Sequence, residues 1–333
     1  MYSRVTTLCT AAAVILSGAC GGSGLHNAPP PAPAAPQSWR VGVAPGVSLY
    51  VESLGRGKDT LVLLHGGPGL TAANVLPDFA PLGDQFTVLS YDQRGAGRST
   101  LIEDSTRVTL GAHVADLEAL RSQLHLDRMT LVGHSWGGGL ALRYAIAHPD
   151  RVKRLILIDP VPPRRGTFIT EFSRNVAAWM DSTTRAKVAA ANQLWTSGAD
   201  AIAGCREYWS IFQNGYFANP RQHKPMKGEW CVGPAAGVRA FTRVNRWTFA
   251  SIGRWDWTAE AKTLLTPTLI IHGAQDPLPL TGSREWLAAL QQSRLLIVKD
   301  AGHYPFVEQP DIVMAAIGAF ARGVWPTGAV AAP

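Results

Sequence analysis

Three residues of this chain have the types and spacing to break an acyl bond together. Ser135 stands in Gly133-His134-Ser135-Trp136-Gly137, a Gly-x-Ser-x-Gly arrangement. His303 stands in Asp300-Ala301-Gly302-His303-Tyr304-Pro305, and Asp276 in His272-Gly273-Ala274-Gln275-Asp276-Pro277. A serine hydroxyl is a poor nucleophile until a neighbouring base takes its proton, and the base needs an acid to fix its tautomer. Chain order Ser, acid, His suits a sheet whose strands each deliver one of these groups on a carboxyl-end loop. Asp159 in Asp159-Pro160 is a rival acid, because it too follows an apolar run. Asp276 is preferred, with Asp159-Pro160 read as a strand-end turn; Asp300 is too near His303 in sequence to orient it.

Serine attack also creates an oxyanion, and one backbone donor aimed at it contributes about 3–4 kcal/mol. The Trp136 amide, directly after the nucleophile, is one expected donor. Gly67 in His65-Gly66-Gly67-Pro68-Gly69 is the other, since Pro68 has no N–H. His65 reads as a support for that loop and His134 as packing beside the serine. The nine His and four Cys residues show no metal-ligand spacing, so neither a metal site nor a cofactor is expected.

The elements that must position these groups follow from hydrophobic pattern. Residues 129–132 form a short apolar strand, and 140–148, rich in Ala and Leu, form a helix ending at Pro149. Gly133 and Gly137 leave room where strand and helix close on each other. Residues 60–64, 86–91, 152–158, 268–271 and 294–298 read as strands covered on both faces. Residues 39–43 and 47–52 alternate about Pro45-Gly46 as an edge hairpin, while 111–124, 283–290 and 312–320 read as helices. Strand alternating with helix predicts an α/β fold with a doubly wound, mainly parallel sheet. The alternation stops over 162–261, which holds seven of the 11 Trp residues and reads as an inserted helical lid. The core is then split into 39–161 and 262–325.

Hydrophobic residues make up 46% and charged residues 17%, which suits a globular enzyme. The net charge of +7 is dispersed, with no Lys/Arg run longer than two, so no nucleic-acid partner is expected. Residues 1–20 have the layout of an export signal: Arg4, an apolar stretch over 11–16, then Ser17-Gly18-Ala19-Cys20. A Pro- and Ala-rich tether over 21–38 follows. The signal also resembles that of bacterial lipoproteins, which implies a lipidated Cys20, membrane attachment and a periplasmic or cell-surface location. Cleavage without lipid is the alternative.

Taken together, the chain resembles the α/β hydrolases from about residue 41 to 320. His65-Gly66-Gly67-Pro68-Gly69, Asp92-Gln93-Arg94-Gly95-x-Gly97-x-Ser99 and the Ser135 motif resemble the proline iminopeptidase branch of serine aminopeptidases. That resemblance implies Ser135, Asp276 and His303 as the triad and a lid that sets selectivity. It also implies lid carboxylates that hold the ammonium of a small peptide. Glu207 and Glu229 are the candidates, with Glu171 and Asp181 behind them. If Cys205 and Cys231 pair, as an oxidising compartment permits, the bridge would brace this amine site. The chain departs from the branch in having His134, not Gly, before the serine. A carboxylic-ester hydrolase on the same fold is the alternative function.

Overall fold

The structure, a computed structural model, describes residues 36–332; the export signal, Cys20 and most of the tether lie outside the described residues. Eight strands build one sheet: β1 (Gln37–Ala44), β2 (Val47–Leu54), β3 (Thr60–Leu64), β4 (Thr87–Tyr91), β5 (Met129–His134), β6 (Val152–Ile158), β7 (Thr268–Gly273) and β8 (Ser293–Val298). Their order is β1-β2-β4-β3-β5-β6-β7-β8. The β1–β2 and β2–β4 pairs are antiparallel, and all pairs from β4 to β8 are parallel. The hairpin starts at Gln37, so β1 takes in the last two residues of the stretch read as tether.

Alternation along each strand divides the core in two. Val62 and Leu64 of β3 and Leu155 and Leu157 of β6 pack on one face of the sheet. Leu61 and Leu63, with Ile156 and Ile158, pack on the other. Such two-sided burial explains why these strands read as unbroken apolar runs. Helices α1 (Leu110–Gln123) and α2 (Trp136–Ala147) cover the first face with Leu117, Leu120, Leu140 and Tyr144.

Between β6 and β7 the chain forms α3 (Phe168–Ala177), α4 (Ser182–Ser197), α5 (Ala201–Phe212), α6 (Ala235–Ile252) and the short α7 (Thr258–Ala261). After β7 come α8 (Leu280–Ala289), then β8, α9 (Pro305–Glu308) and α10 (Pro310–Ala321), which buries Val313, Ile317 and Phe320 on the second face. Connections leaving β3 run first to β4 on one side and then back across to β5 on the other. Such a reversal opens a crevice at the carboxyl ends of the strands, and the loop after β3 and Ser135 after β5 both sit there. Among the described residues no helix is long and apolar enough to cross a membrane.

Candidate active site

Ser135 occupies a single-residue bend between β5 and α2, with φ 55° and ψ −119°. A non-glycine residue in this region is strained, and the surrounding packing must hold it there. The glycines around it make that packing possible. A Cβ on Gly133 would fall 2.3 Å from the Gly137 carbonyl oxygen, and one on Gly137 would fall 2.1 Å from that of Leu64. The helix begins directly at Trp136, so Gly137, Gly138 and Gly139 are helical despite poor intrinsic propensity. Flush contact with the sheet outweighs propensity there, and the helix starts four residues earlier than its composition suggests.

Ser135 lines a cavity of about 500 Å³ together with Gly66, Gly67, His134 and His303. Behind His303 stands Asp276, whose two carboxylate oxygens each lie 3.0 Å from His303 Nδ1. The Asp276 side chain is fully buried, and its Oδ1 also accepts from the Leu278 amide at 2.8 Å. Burial lowers the His303 pKa to about 3, and the adjacent carboxylate opposes that shift. The resting imidazole is neutral, with Nδ1–H donating to Asp276 and Nε2 left to accept a proton.

The rival acid lies directly behind this pair. Asp159, at φ 45°, ends β6. Its Oδ1 accepts from the Gly273 amide at 2.9 Å and lies 3.3 Å from His272 Nδ1. Carboxyl oxygens of Asp159 and Asp276 and a ring nitrogen of His272 all lie within 4.8 Å of one another. Burial, then the charge and hydrogen bond of Asp276, push the Asp159 pKa well above the carboxylate range. Burial also raises Asp276, and hydrogen bonds from Asp159 and the Leu278 amide oppose the rise. Two close carboxyls titrate as a unit and share one proton. That proton belongs on Asp159, whose Oδ2 accepts from no donor; the negative charge stays on Asp276, where His303 meets it. His272 is held neutral by burial and contacts Ser283 Oγ at 3.0 Å.

Gly67 lines the cavity, and the Trp136 amide, first in α2, belongs to the helical turn whose N–H groups have no partner within the helix. A Cβ on Gly66 would meet the Ser135 Cβ at 3.2 Å, so the loop lies close against Ser135. Its conformation is fixed from below. His65 Nε2 accepts from the Gln93 amide at 3.0 Å, which leaves Nδ1–H to donate to the Gly66 carbonyl at 2.8 Å. Gln93 closes the circuit, donating to the His65 carbonyl at 2.9 Å and accepting from Trp136 Nε1 at 3.0 Å. Asp92 of the same motif accepts from the amides of Ala72 and Arg98, each at 2.8 Å. The Asp92-to-Ser99 motif therefore braces the loop that carries Gly67, and the sequence alone marked it only as a family signature. His134 is kept neutral by burial; its Nε2–H donates to the His303 carbonyl at 2.8 Å, tying the Ser135 turn to the His303 loop.

The insertion supplies the rest of the cavity and grips His303. The His303 amide donates to the Tyr216 carbonyl at 2.6 Å, and the Tyr216 and Phe172 rings lie 5.4 and 5.5 Å from the imidazole. Glu308 accepts from Gly302 at 2.6 Å and from Ala218 at 2.9 Å, joining the His303 loop to the insertion. Cys205 and Cys231 are disulfide-bonded. The bridge packs with Trp195, Trp209 and Leu70, and Trp209 stacks on Trp230 at 3.8 Å. Glu207 and Glu229 do not join this site: both are exposed and neither lines the cavity. On α5 Cys205 and Trp209 share the buried face, and Glu207, two residues from Cys205, faces away because a helix turns about 100° per residue. The bridge braces a tryptophan wall, not an amine site. Among the described residues no carboxylate lines the cavity; its charged lining residues are Arg165 and Arg246.

A family model described as "alpha/beta hydrolase fold" matches residues 59–310. A probable proline iminopeptidase of Leptolyngbya boryana is 28% identical over 314 residues, covering 82% of this chain and 90% of that protein. The crystal structure of a proline iminopeptidase from Mycobacterium smegmatis superposes with a TM-score of 0.63 at 20% identity, over 86% of this chain and 98% of that one. An esterase from Exiguobacterium antarcticum gives a TM-score of 0.61, also at 20% identity, over 86% and 100%. At these identities the two structural likenesses speak for the fold alone.

Proposed function

Since the chain belongs to the α/β-hydrolase family and is a proline iminopeptidase-like serine hydrolase, we propose that Ser135, His303 and Asp276 carry its chemistry through an acyl-enzyme. The observation that carries the reading is the His303–Asp276 pair at 3.0 Å, with His303 and a strained Ser135 lining one cavity. Ser135 Oγ attacks the scissile carbonyl while His303 Nε2 takes its proton. Asp276 stabilises the imidazolium that forms, and the Gly67 and Trp136 amides take the oxyanion. His303 then returns the proton to the leaving amine or alcohol, and water, deprotonated by the same imidazole, releases the acyl group.

The sequence relatives support a first reading, release of an N-terminal residue from short peptides. The lining favours a second, a carboxylic-ester hydrolase, because no carboxylate is present in the cavity to hold a substrate ammonium. The test assays the full-length protein and Ser135→Ala on a prolyl arylamide, its N-blocked counterpart and short-chain nitrophenyl esters. Free-amine arylamide turnover that is lost on N-blocking and in Ser135→Ala establishes the aminopeptidase. Ser135-dependent ester turnover alone establishes the esterase. Turnover that survives Ser135→Ala rules out the acyl-enzyme at this residue.

The N-terminal pattern supports action outside the cytoplasm with Cys20 as a lipid anchor, and the Cys205–Cys231 disulfide suits an oxidising compartment. Membrane fractionation of cells expressing the full chain or Cys20→Ala tests this. The full chain is expected in the membrane fraction and the variant outside it; equal distribution of the two contradicts the anchor.

A further inference from the structure

Among the described residues, the cavity that Ser135 lines is bordered by two arginines, Arg165 and Arg246, and by no carboxylate. Arg246 lies on α6 one turn before Ala250, and both line the cavity, as does Asn245. Arg165, on the loop after β6, lines it too. Its amide donates to the Trp255 carbonyl and its Nη1 to the Gly253 carbonyl, each at 3.0 Å, which pins this loop to the segment that follows α6.

Neighbouring acids are engaged elsewhere. Arg164 takes Glu285, Arg243, one turn before Arg246, takes Glu103, and Asp256 accepts from Thr258. Glu171 borders an adjoining groove with Arg165 and accepts from Thr167 Oγ1 at 2.5 Å. Among the described residues neither Arg165 nor Arg246 has a carboxylate partner. The two cavity histidines, His134 and His303, are held neutral by burial, and most of the remaining wall is aromatic or aliphatic, Trp209, Trp230, Phe168 and Phe249 among it. Arg246 is exposed and Arg165 half-buried; a guanidinium beside such a wall gains most from a planar anion, which it can grip through two parallel N–H···O bonds.

We propose that Arg246, assisted by Arg165, forms an anion subsite, and that the substrate bears a free carboxylate separated by an apolar spacer from the scissile carbonyl. This assignment deepens the serine-hydrolase reading and rests on it for the identity of the reacting carbonyl.

Two readouts test it separately from turnover. In the first, the full-length protein hydrolyses 4-nitrophenyl hydrogen adipate, pimelate and suberate, each beside its methyl-capped neutral counterpart. The acid of at least one pair is expected to show about tenfold higher kcat/KM than its capped partner, the scale of a hydrogen-bonded charge. Arg246→Gln should bring that ratio close to one, and added salt should lower the rate for the acid only. In the second, calorimetry on Ser135→Ala, which cannot turn over, compares monomethyl with dimethyl esters of the same diacids. Monomethyl esters are expected to bind about tenfold more tightly, and less so when Arg246→Gln is added. The proposal is overturned if no monoester of the series binds better than its diester, or if Arg246→Gln leaves the preference intact. Failure of every ester to be hydrolysed, with monoester binding retained, would instead remove the hydrolase reading and leave the anion subsite standing.

Discussion

The sheet and the helical insertion both reach the cavity, but they specify their contributions in different ways. In the sheet, each proposed reactive group follows the end of a buried strand: Ser135 directly after β5, Asp159 directly after β6, Asp276 on the loop after β7 and His303 on the loop after β8. Backbone pairing fixes where those ends fall, so local sequence and position in space are tightly linked. In the insertion, residues reach the cavity from α3, α5 and α6 and from the irregular segment around Trp230. Their placement depends on how helices cross and which face each presents. If the proposed roles hold, the comparison teaches that the chemistry is set by strand order, whereas the substrate is selected by packing that local sequence encodes weakly.

The sharpest way to break this comparison is inside the sheet, where two buried aspartates compete. Asp276→Asn removes the charge that orients His303 and should lower kcat by about 10³–10⁴ without loss of fold, the scale seen when a triad acid is neutralised. Asp159→Asn keeps a hydrogen-bond donor beside Asp276 and should cost less than about tenfold in kcat. The reverse order would transfer the acid role to Asp159. Circular dichroism of both variants separates catalytic from folding losses.

A smaller effect is expected from the insertion. The disulfide closes a loop with a sequence separation of 26, and replacing both Cys205 and Cys231 by Ser should lower unfolding stability by about 3–4 kcal/mol in denaturant titration. With the Trp209–Trp230 wall loosened, KM should rise more than kcat falls. An equal loss in kcat would mean that the wall also positions the sheet's catalytic groups, and the proposed separation of roles would fail.

The pH profile tests the electrostatics of the base. In the proposed mechanism the active imidazole is neutral, so activity should be present above the His303 pKa and be lost as pH falls through it. Burial holds that pKa below the ordinary 6.5, so the acid limb of kcat/KM should lie below pH 6.5. A limb above that value would mean that the Asp276 charge outweighs burial. Smallest of all, Glu207→Gln and Glu229→Gln should each change kcat/KM on any substrate by less than about twofold, because exposed side chains outside the cavity exert only screened influence. A tenfold loss confined to free-amine substrates would restore them as ammonium ligands.

Sequence legibility divides along the same line. The strand ends, the Gly-x-Ser-x-Gly bend and the order Ser, Asp, His could be read because each is a local pattern tied to one strand. The Cys205–Cys231 pair was open to anticipation, but what it braces was not. Proximity to a bridged cysteine constrains the Glu207 and Glu229 backbones and leaves their side-chain directions free. Helical phase could have excluded Glu207, since Cys205 and Trp209 already define the buried face of α5. Arg246 gave no local signal, because its face of α6 becomes cavity wall only after the insertion folds onto the sheet. Gln93 was visible in its motif, but its circuit through His65 and Trp136 joins three strand ends that only the sheet brings together.

The most direct test of the account is stoichiometric labelling of the native, full-length protein with a fluorophosphonate, followed by intact-mass measurement and peptide mapping. The account predicts one adduct per chain, located on Ser135, with labelling lost in Ser135→Ala and slowed about a thousandfold or more in His303→Ala. An adduct on another serine, or undiminished labelling in Ser135→Ala, would contradict it.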